Sequence, residues 1–434
     1  MEKDAARDLL TELFEAALEA VRAERRLPPV WRELLENEAD EAATGPARAT
    51  ILIAYGKAAG PMARAALDLI DPPVRGLVVA PYGYLAGFLT DVSDDIETIE
   101  AGHPVPDAAS ERAALRALAL ARSATADERA VFLASGGGSA AMAAPRPPLT
   151  LAAKREIVRH LVLSGAPIEE INLARRHLSA VKGGRLARAA SAAARHWTLA
   201  TSDVVSDDPA LIASGPSIPM REDPQAASAI LERWDAPHVP LWRAALAEGE
   251  TSCEGNVLPP SDVRVIARGA DALAAASARA TRDGWQVHDL GAAVTGEADE
   301  VARRHADLVR RLHRTGGRHL IVSGGELTVR IGTAPHGEGG PNLEYLAALM
   351  IALDGLEGVH ALAADTDGRD GSGGQAGGWI HPDSLKRARM LGFDPAASLA
   401  RHETRALFSA LGDLLEPGPI PINVNDFRAI LIAP

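Results

Sequence analysis

Along most of the chain, short continuous apolar runs alternate with longer stretches whose apolar residues recur every three or four positions. The first pattern suits strands buried on both faces, the second amphipathic helices. Ala130-Val131-Phe132-Leu133-Ala134 reads as a buried strand, and 49–54, 76–80 and 197–201 read alike. Residues 3–24 place Leu9, Leu10, Leu13, Phe14, Ala17, Leu18 and Val21 on one helical face. A helix follows strand 49–54 as far as about Ile70, and another covers 107–122. Residues 149–190 carry two or three helices, interrupted at Gly165-Ala166-Pro167 and at Gly183-Gly184. A break at 235–262, rich in proline and glycine, reads as a domain boundary. Beyond it, strands at 263–267, 286–290, 319–323, 327–331 and 359–364 alternate with helices at 270–282, 297–314 and 342–353. The expected fold class is α/β, in two domains at 1–245 and 246–434. Each is expected to be a largely parallel sheet covered by helices, with the active site in the cleft between them.

Composition narrows the function. The chain has 434 residues, of which 47% are hydrophobic, enough for substantial cores. A net charge of −13 argues against nucleic-acid or anionic-membrane surfaces, yet leaves room for a local basic pocket. Cys253 is the single cysteine, which removes disulfides within the chain and cysteine-based metal sites and suits a reducing cytoplasm. The first twenty residues are acidic and amphipathic, unlike a signal peptide, and no apolar run has the length of a membrane span.

Candidate chemistry gathers directly after the strands. Strand 130–134 runs into Ser135-Gly136-Gly137-Gly138-Ser139. Three glycines permit a sharp turn and close ligand approach, and successive N–H groups form a nest for phosphate oxygens. A helix opened by the following alanines would add its own donors; a tight turn with no ligand is the plainer reading. Lys57, at the end of strand 49–54, can hold an anion as a point charge. Asp203, Asp207 and Asp208 follow strand 197–201 and could either cap helices or hold Mg²⁺ by one or two contacts. Residues 172–185 gather Arg175, Arg176, His177, Lys182 and Arg185. Lys182-Gly183-Gly184-Arg185 reads as a helix broken and restarted, which would turn free N–H groups toward an anion. Ser323-Gly324-Gly325-Glu326 is a second glycine turn, and Asp365, Asp367 and Asp370 follow strand 359–364.

Two chemistries compete for these residues. Gly136-Gly137-Gly138-Ser139-Ala140-Ala141 satisfies the dinucleotide pattern, as does Gly371-Ser372-Gly373-Gly374-Gln375-Ala376. A dinucleotide site also needs a second strand ending in an acidic residue about 20 positions on. Here 145–165 hold three prolines and then a helical pattern, so that context fails. The other chemistry is phosphoryl transfer, with a glycine cradle, a lysine, acidic Mg²⁺ ligands and a basic pocket for an acid substrate. No P-loop motif is present. A non-catalytic sugar-acid sensor finds no DNA-binding segment to support it.

Eight motifs in order carry a family resemblance: GKAAGPMA (56–63), AGHPVPD (101–107), SGGGSA (135–140), INLARRHLSAVKGGRLA (171–187), SDVVSDDPALIASGP (202–216), SGGELTV (323–329), DTDGRDG (365–371) and NVNDF (423–427). This set resembles the type-2 glycerate kinases, whose C-terminal half is often called the MOFRL domain; some members are labelled hydroxypyruvate reductase. The resemblance implies two α/β domains and ATP- and Mg²⁺-dependent phosphorylation of D-glycerate at its 2-hydroxyl. A small hydroxy acid and ATP are then the partners, without nucleic acid or membrane, and a homo-oligomer is left open. An NAD(P)H-dependent hydroxypyruvate reductase, or a kinase of a related sugar acid, is the alternative. Matched by motif, Lys57 and Asp203 are catalytic, and Gly136, Gly137, Gly138, Ser139, Lys182, Gly183 and Gly184 bind nucleotide phosphate. Arg175, His177, Glu326 and Asn342 face substrate, and Asp203 and Asp208 face the metal. Three positions depart from the family. Pro341 stands where an arginine is usual, Gly373-Gly374 replace an aspartate, and His402-Glu403-Thr404 replace Asn-Asp-Ser.

Overall fold

The computed structural model describes residues 1–40, 47–251, 258–331, 336–371 and 373–433; Cys253 and the middle of the 235–262 break lie outside them. The chain forms two compact units. One comprises Arg26–Ser202 with Asp207–Ile266, the other Met1–Arg25, Asp203–Ser206 and Ala267–Pro434. The units therefore depart from the continuous segments 1–245 and 246–434. The apolar face of the helix Lys3–Ala20 is buried in the C-terminal unit, against the helix Gly269–Arg282. The expected break also holds the helix Val239–Thr251, in which Pro240 takes a first-turn position where no N–H is needed.

The first unit is built on a six-stranded sheet in the order β3-β2-β1-β4-β5-β6. These strands are β1 (Ala49–Tyr55), β2 (Val74–Pro81), β3 (Ile96–Ala101), β4 (Glu128–Ala134), β5 (Arg195–Thr201) and β6 (Ser261–Ala267). The pairs β1–β2, β2–β3, β1–β4 and β4–β5 are parallel. Continuous apolar sequence explains why β1 and β4 lie centrally: both are buried almost end to end. From β1 the chain winds outward through β2 and β3, then returns to β4 on the other side of β1. That reversal is where open parallel sheets leave a crevice at their carboxyl ends. Strand β6, expected to open the second domain, is an edge strand of this sheet instead.

The C-terminal unit holds β7 (Gln286–Asp289), β8 (Gly296–Glu297), β9 (His319–Ser323), β10 (Leu327–Thr328), β11 (Val359–Asp365), β12 (Gly377–Ile380), β13 (Leu414–Leu415) and β14 (Asp426–Ile432). Its main sheet runs β13-β12-β11-β14-β9-β7, with β8 and β10 as a separate parallel pair. Only β7–β9 is parallel within the main sheet; β9–β14, β14–β11, β11–β12 and β12–β13 are antiparallel. The expectation of a largely parallel second sheet is corrected here. The final strand β14 inserts between β9 and β11 in the opposite direction, and β12 doubles back on β11. The helix Pro341–Leu353 is buried along most of its length and packs with Ala298–Thr315 over this sheet. Among the described residues no helix is long and apolar enough to cross a membrane.

Two buried histidines set a pH limit on this unit. His360 Nδ1 lies 3.0 Å from His381 Nδ1, so one ring donates and the other accepts. Burial, reinforced by the charges of Lys3, His360, Arg387 and Arg7, pushes His381 down to about 3. The unfolded histidine takes a proton below about pH 6.5, whereas the folded one does so only near pH 3. Stability is thus fully present above the unfolded value and declines as pH falls through this window. A single such histidine accounts for about 2 kcal/mol between pH 7 and pH 5. Urea midpoints at pH 7, 6 and 5 should fall accordingly, and His381→Gln should flatten the slope.

Candidate active site

The parallel register of β1 and β4 pairs Tyr55 with Ala134, so the two chains leave the sheet side by side. Beyond the sheet the two segments lock together at close range. Gly56 has φ +109°, and a Cβ there would fall 2.3 Å from the Ser135 carbonyl oxygen. The Lys57 N–H donates to the Gly136 carbonyl at 2.8 Å, and the Ala58 N–H donates to Ser135 Oγ at 3.0 Å. Ser135 therefore supports the turn. At Gly137, with φ +81°, a Cβ would lie 3.0 Å from Lys57 Cγ and 3.4 Å from His103 Cδ2. The aliphatic stem of Lys57 runs directly along the glycine loop. Among the described residues, no backbone carbonyl accepts the N–H groups of Gly136 or Gly137. The helix after the loop, Gly138–Ala141, is a single turn, so the cradle rests on individual N–H groups rather than on a long dipole.

Behind the loop stands Lys182, 2% exposed, whose Nζ donates to the Ser139 carbonyl at 2.7 Å and also to Ser139 Oγ. Ser139 Oγ lies 3.0 Å from Ser214 Oγ. Burial, and then the charges of Lys154 and Arg175, hold the Lys182 amine well below its ordinary value. Gly183 and Gly184 behave differently from the expectation of free donors. Their N–H groups are spent on the Ser214 and Gly215 carbonyls at 3.1 and 2.7 Å. A Cβ at Gly184 would sit 2.4 Å from Pro219 Cα, so this glycine pair is needed for backbone packing. His177 is likewise engaged internally. Its Nδ1 lies 2.9 Å from the Leu173 carbonyl, and its Nε2 accepts the Asp223 N–H at 2.9 Å. That fixes a neutral imidazole with its proton on Nδ1, and burial lowers its basicity. Arg175 is half-buried and, among the described residues, has no ion pair or hydrogen bond.

In the C-terminal unit, Asp203 Oδ2 accepts from Asn423 Nδ2 at 3.0 Å. Asp208 belongs to the other unit, where its Oδ1 accepts the Ala210 N–H at 2.9 Å in a local turn. Among the described residues, no group of three or more His, Cys, Asp or Glu is placed to hold a metal ion. Glu326 is exposed at the end of β9. Asn342 is fully buried. Its N–H and Nδ2 reach Asp370 Oδ1 at 3.0 and 3.3 Å, and Nδ2 reaches Asp426 Oδ1 at 2.7 Å. Asp370 caps the helix Pro341–Leu353 through Asn342 and Leu343, and burial pushes its carboxyl up to about 7. Arg428 joins the network, donating to Asp426 Oδ2 at 2.8 Å and to the Gly324 carbonyl. Asn342, expected at substrate, instead ties the second glycine turn to the helix start.

Sequence reasoning missed Lys154 and Ser214. Lys154 was visible as a lysine on the apolar face of its helix, between Leu151, Ile157 and Leu161. Ser214, at φ 64° beside Ala213 at φ 50°, had only its place before Gly215-Pro216 to mark it.

A parallel sheet whose central strands end in a glycine cradle lined by lysines defines a phosphate-handling α/β protein. Comparison with known proteins narrows the class. Residues 9–247 match the family described as a domain of unknown function (DUF4147), and residues 319–426 match the MOFRL family. A D-glycerate 2-kinase of Thermotoga maritima is 34% identical over 88% of this chain and 90% of its own. An Agrobacterium vitis protein bearing a hydroxypyruvate reductase name is 42% identical over 88% of this chain and 99% of its own. The crystal structure of a glycerate kinase from Thermotoga maritima superposes with a TM-score of 0.84, at 30% identity, covering 99% of this chain and all of that one. The chain belongs to the glycerate 2-kinase family.

The close approach of β1 and β4 can be tested directly. Gly56→Ala should cost about 1–3 kcal/mol from its backbone conformation, and more from the collision with Ser135. Gly165, at φ +78° with nothing within 4 Å of where a Cβ would stand, isolates the backbone cost. Thermal melts of Gly56→Ala and Gly165→Ala should show the larger loss in the former.

Proposed function

We propose that this protein is an ATP-dependent kinase that phosphorylates D-glycerate at its 2-hydroxyl, giving 2-phosphoglycerate, ADP and a proton. The observation that carries this reading is the glycine loop with Lys57 laid along Gly137 and Lys182 anchored behind it at Ser139. The unclaimed N–H groups of Gly136 and Gly137 suit phosphate oxygens, and Lys57 supplies a positive charge where negative charge is transferred. Asp203, oriented by Asn423, is the carboxylate proposed for Mg²⁺ or for the substrate hydroxyl, and Arg175 and Glu326 are proposed to face the acid. Mg²⁺ on the nucleotide phosphates supplies charge neutralisation when bound.

The Agrobacterium relatives raise the reductase alternative, and the loop's surroundings weigh against it. A dinucleotide fingerprint needs a full helix and then a strand ending in an acid. Here the loop opens a four-residue helix, and the next strand, β5, starts only at Arg195. Purified protein should convert ATP and D-glycerate to ADP and 2-phosphoglycerate, and should not oxidise NAD(P)H with hydroxypyruvate. NAD(P)H oxidation without ADP formation would reverse the assignment. Lys57→Ala should lower kcat by roughly 10²–10³-fold, the range for a lost electrostatic donor, with little change in melting temperature.

Pro341 bears on substrate choice. It stands in the first turn of its helix, where the missing N–H costs nothing. Arg330 is exposed and lies 3.6 Å from Glu297, and Arg369 is also exposed. An arginine at 341 would add charge-assisted hydrogen bonds worth roughly 1.5–3 kcal/mol each. If position 341 faces the acid, Pro341→Arg should lower KM for D-glycerate about tenfold or more, while longer aldonic acids respond less. An unchanged KM would remove position 341 from the substrate site.

A further inference from the structure

The helix Leu151–Leu163 turns one apolar face into a core with Leu149, Ile171, Leu178, Leu231 and Trp242. Lys154 sits on that face, 6% exposed, and its Nζ has no hydrogen-bond partner. An amine left this way in the interior is costly, because it forfeits water and gains nothing in return. Its neighbours make the position worse. Arg175, Arg185 and Arg146 all act on Lys154 with like charge, and Lys154 and Arg175 act in the same way on Lys182. The nearby Glu222 is already shared. Arg146 Nη2, Arg185 Nη2 and Arg188 Nη1 reach it at 3.0, 2.7 and 3.3 Å. Arg146 Nη1 is buried with no partner even so. The neutral His177 adds no charge, since both of its nitrogens are used internally. Among the described residues, no carboxylate pairs with Lys154 or Arg175.

We propose that Lys154, Arg175 and Lys182 form an oxyanion subsite beside the glycine loop, built for the carboxylate of the acid substrate or for a phosphoryl group. The missing partner is the argument: Lys154 Nζ is buried with nothing to bond, close to Arg175, and a bound anion would satisfy both. Lys182 ties the subsite to Ser139 and so to the loop. Ser139 and Arg175 are half-buried, whereas Lys154 is buried. A lysine suits such a place because, unlike arginine, it can shed its proton when the site is empty. Burial and the surrounding cations push Lys154 down to about 7. A bound anion offsets the repulsion by its opposite charge and accepts a hydrogen bond from the ammonium, so the amine gains a proton as the anion arrives. The inference deepens the kinase reading, yet its test does not depend on turnover.

The experiment is calorimetric titration of the full protein with inorganic phosphate, and separately with D-glycerate. It is run at pH 8 in two buffers of different protonation enthalpy. At least one anion should bind wild type with uptake approaching one proton, and the uptake should vanish at pH 6, where the amine is already charged. Lys154→Met should weaken that anion tenfold or more and abolish the uptake, while melting at the same temperature or higher. Arg175→Gln should weaken the anion and, by removing a like charge from beside Lys154, lessen the uptake. A response confined to phosphate assigns the subsite to the phosphoryl group; one confined to glycerate assigns it to the substrate carboxylate. Binding of neither anion, binding without proton uptake, or unaltered affinity in Lys154→Met overturns the proposal. Should Lys154→Met fail to fold, the wild-type uptake and Arg175→Gln still decide. Success here with no ATP turnover would sink the kinase reading and leave the subsite standing.

Discussion

The contact between Gly56 and Ser135 is the constraint on which the first unit's chemistry depends. Parallel pairing brings Tyr55 and Ala134 level, and hydrogen bonds then cross between the two emerging chains. No side chain fits between them, since a Cβ at Gly56 would meet both backbone and side-chain oxygens of Ser135. The loop is therefore shaped by the sheet and not by its own short helix. Lys57 inherits its position from this lock, because its N–H is one of the crossing bonds and its stem lies on Gly137. Preorganisation of this kind is what electrostatic catalysis asks of a phosphate cradle: donors and charge are fixed before the ligand arrives.

Both units bury charge, with different partners. In the C-terminal unit, Asp370 and Asp426 are buried together with Asn342 and Arg428, whose N–H groups pair with the carboxylates, while Asn342 Oδ1 is buried without a partner. Burial still raises both carboxyls against the hydrogen bonds that they accept. This arrangement rigidifies: it pins the turn Ser323-Gly324-Gly325 to the start of a buried helix. The first unit buries cations instead and leaves Lys154 Nζ and Arg146 Nη1 unmatched.

Much of this was legible in the sequence. Apolar runs located β1, β2, β4 and β5, and the glycines after β4 marked the cradle, because both signals are local. What was not legible depends on distant pairing. Strand β3 reads as alternating polar sequence, since an edge strand exposes one face. Strand β14 carries the same kind of apolar run, Ala429-Ile430-Leu431-Ile432, and was overlooked; its antiparallel insertion between β9 and β11 could not be inferred from its own residues. The helix Ala23–Asp40 was hidden by Pro28 and Pro29, which lie inside it, beyond its first turn, and argue locally against helix. The candidate residues divide on the same principle. Lys57 and Ser139 were found because they neighbour the glycine signal. His177 and Asn342 carry polar side chains that the interior consumes, and only three-dimensional partners reveal that.

Pro341 shows how far fold and chemistry can separate within one loop. Asn342 and Leu343 give their N–H groups to Asp370, so the helix start is held by backbone donors at those two positions. The residue just before them contributes no N–H to this cap. Gly340 cannot be enlarged, because a Cβ there would fall 2.4 Å from the Asp370 carboxyl carbon. Position 341 is the tolerant one between two constrained neighbours. A proline suits this place, since φ near −65° fits a first helical turn. Substitution at 341 consequently leaves Asp370, Asn342 and Arg428 in place, and its effect is confined to the charge that this loop presents.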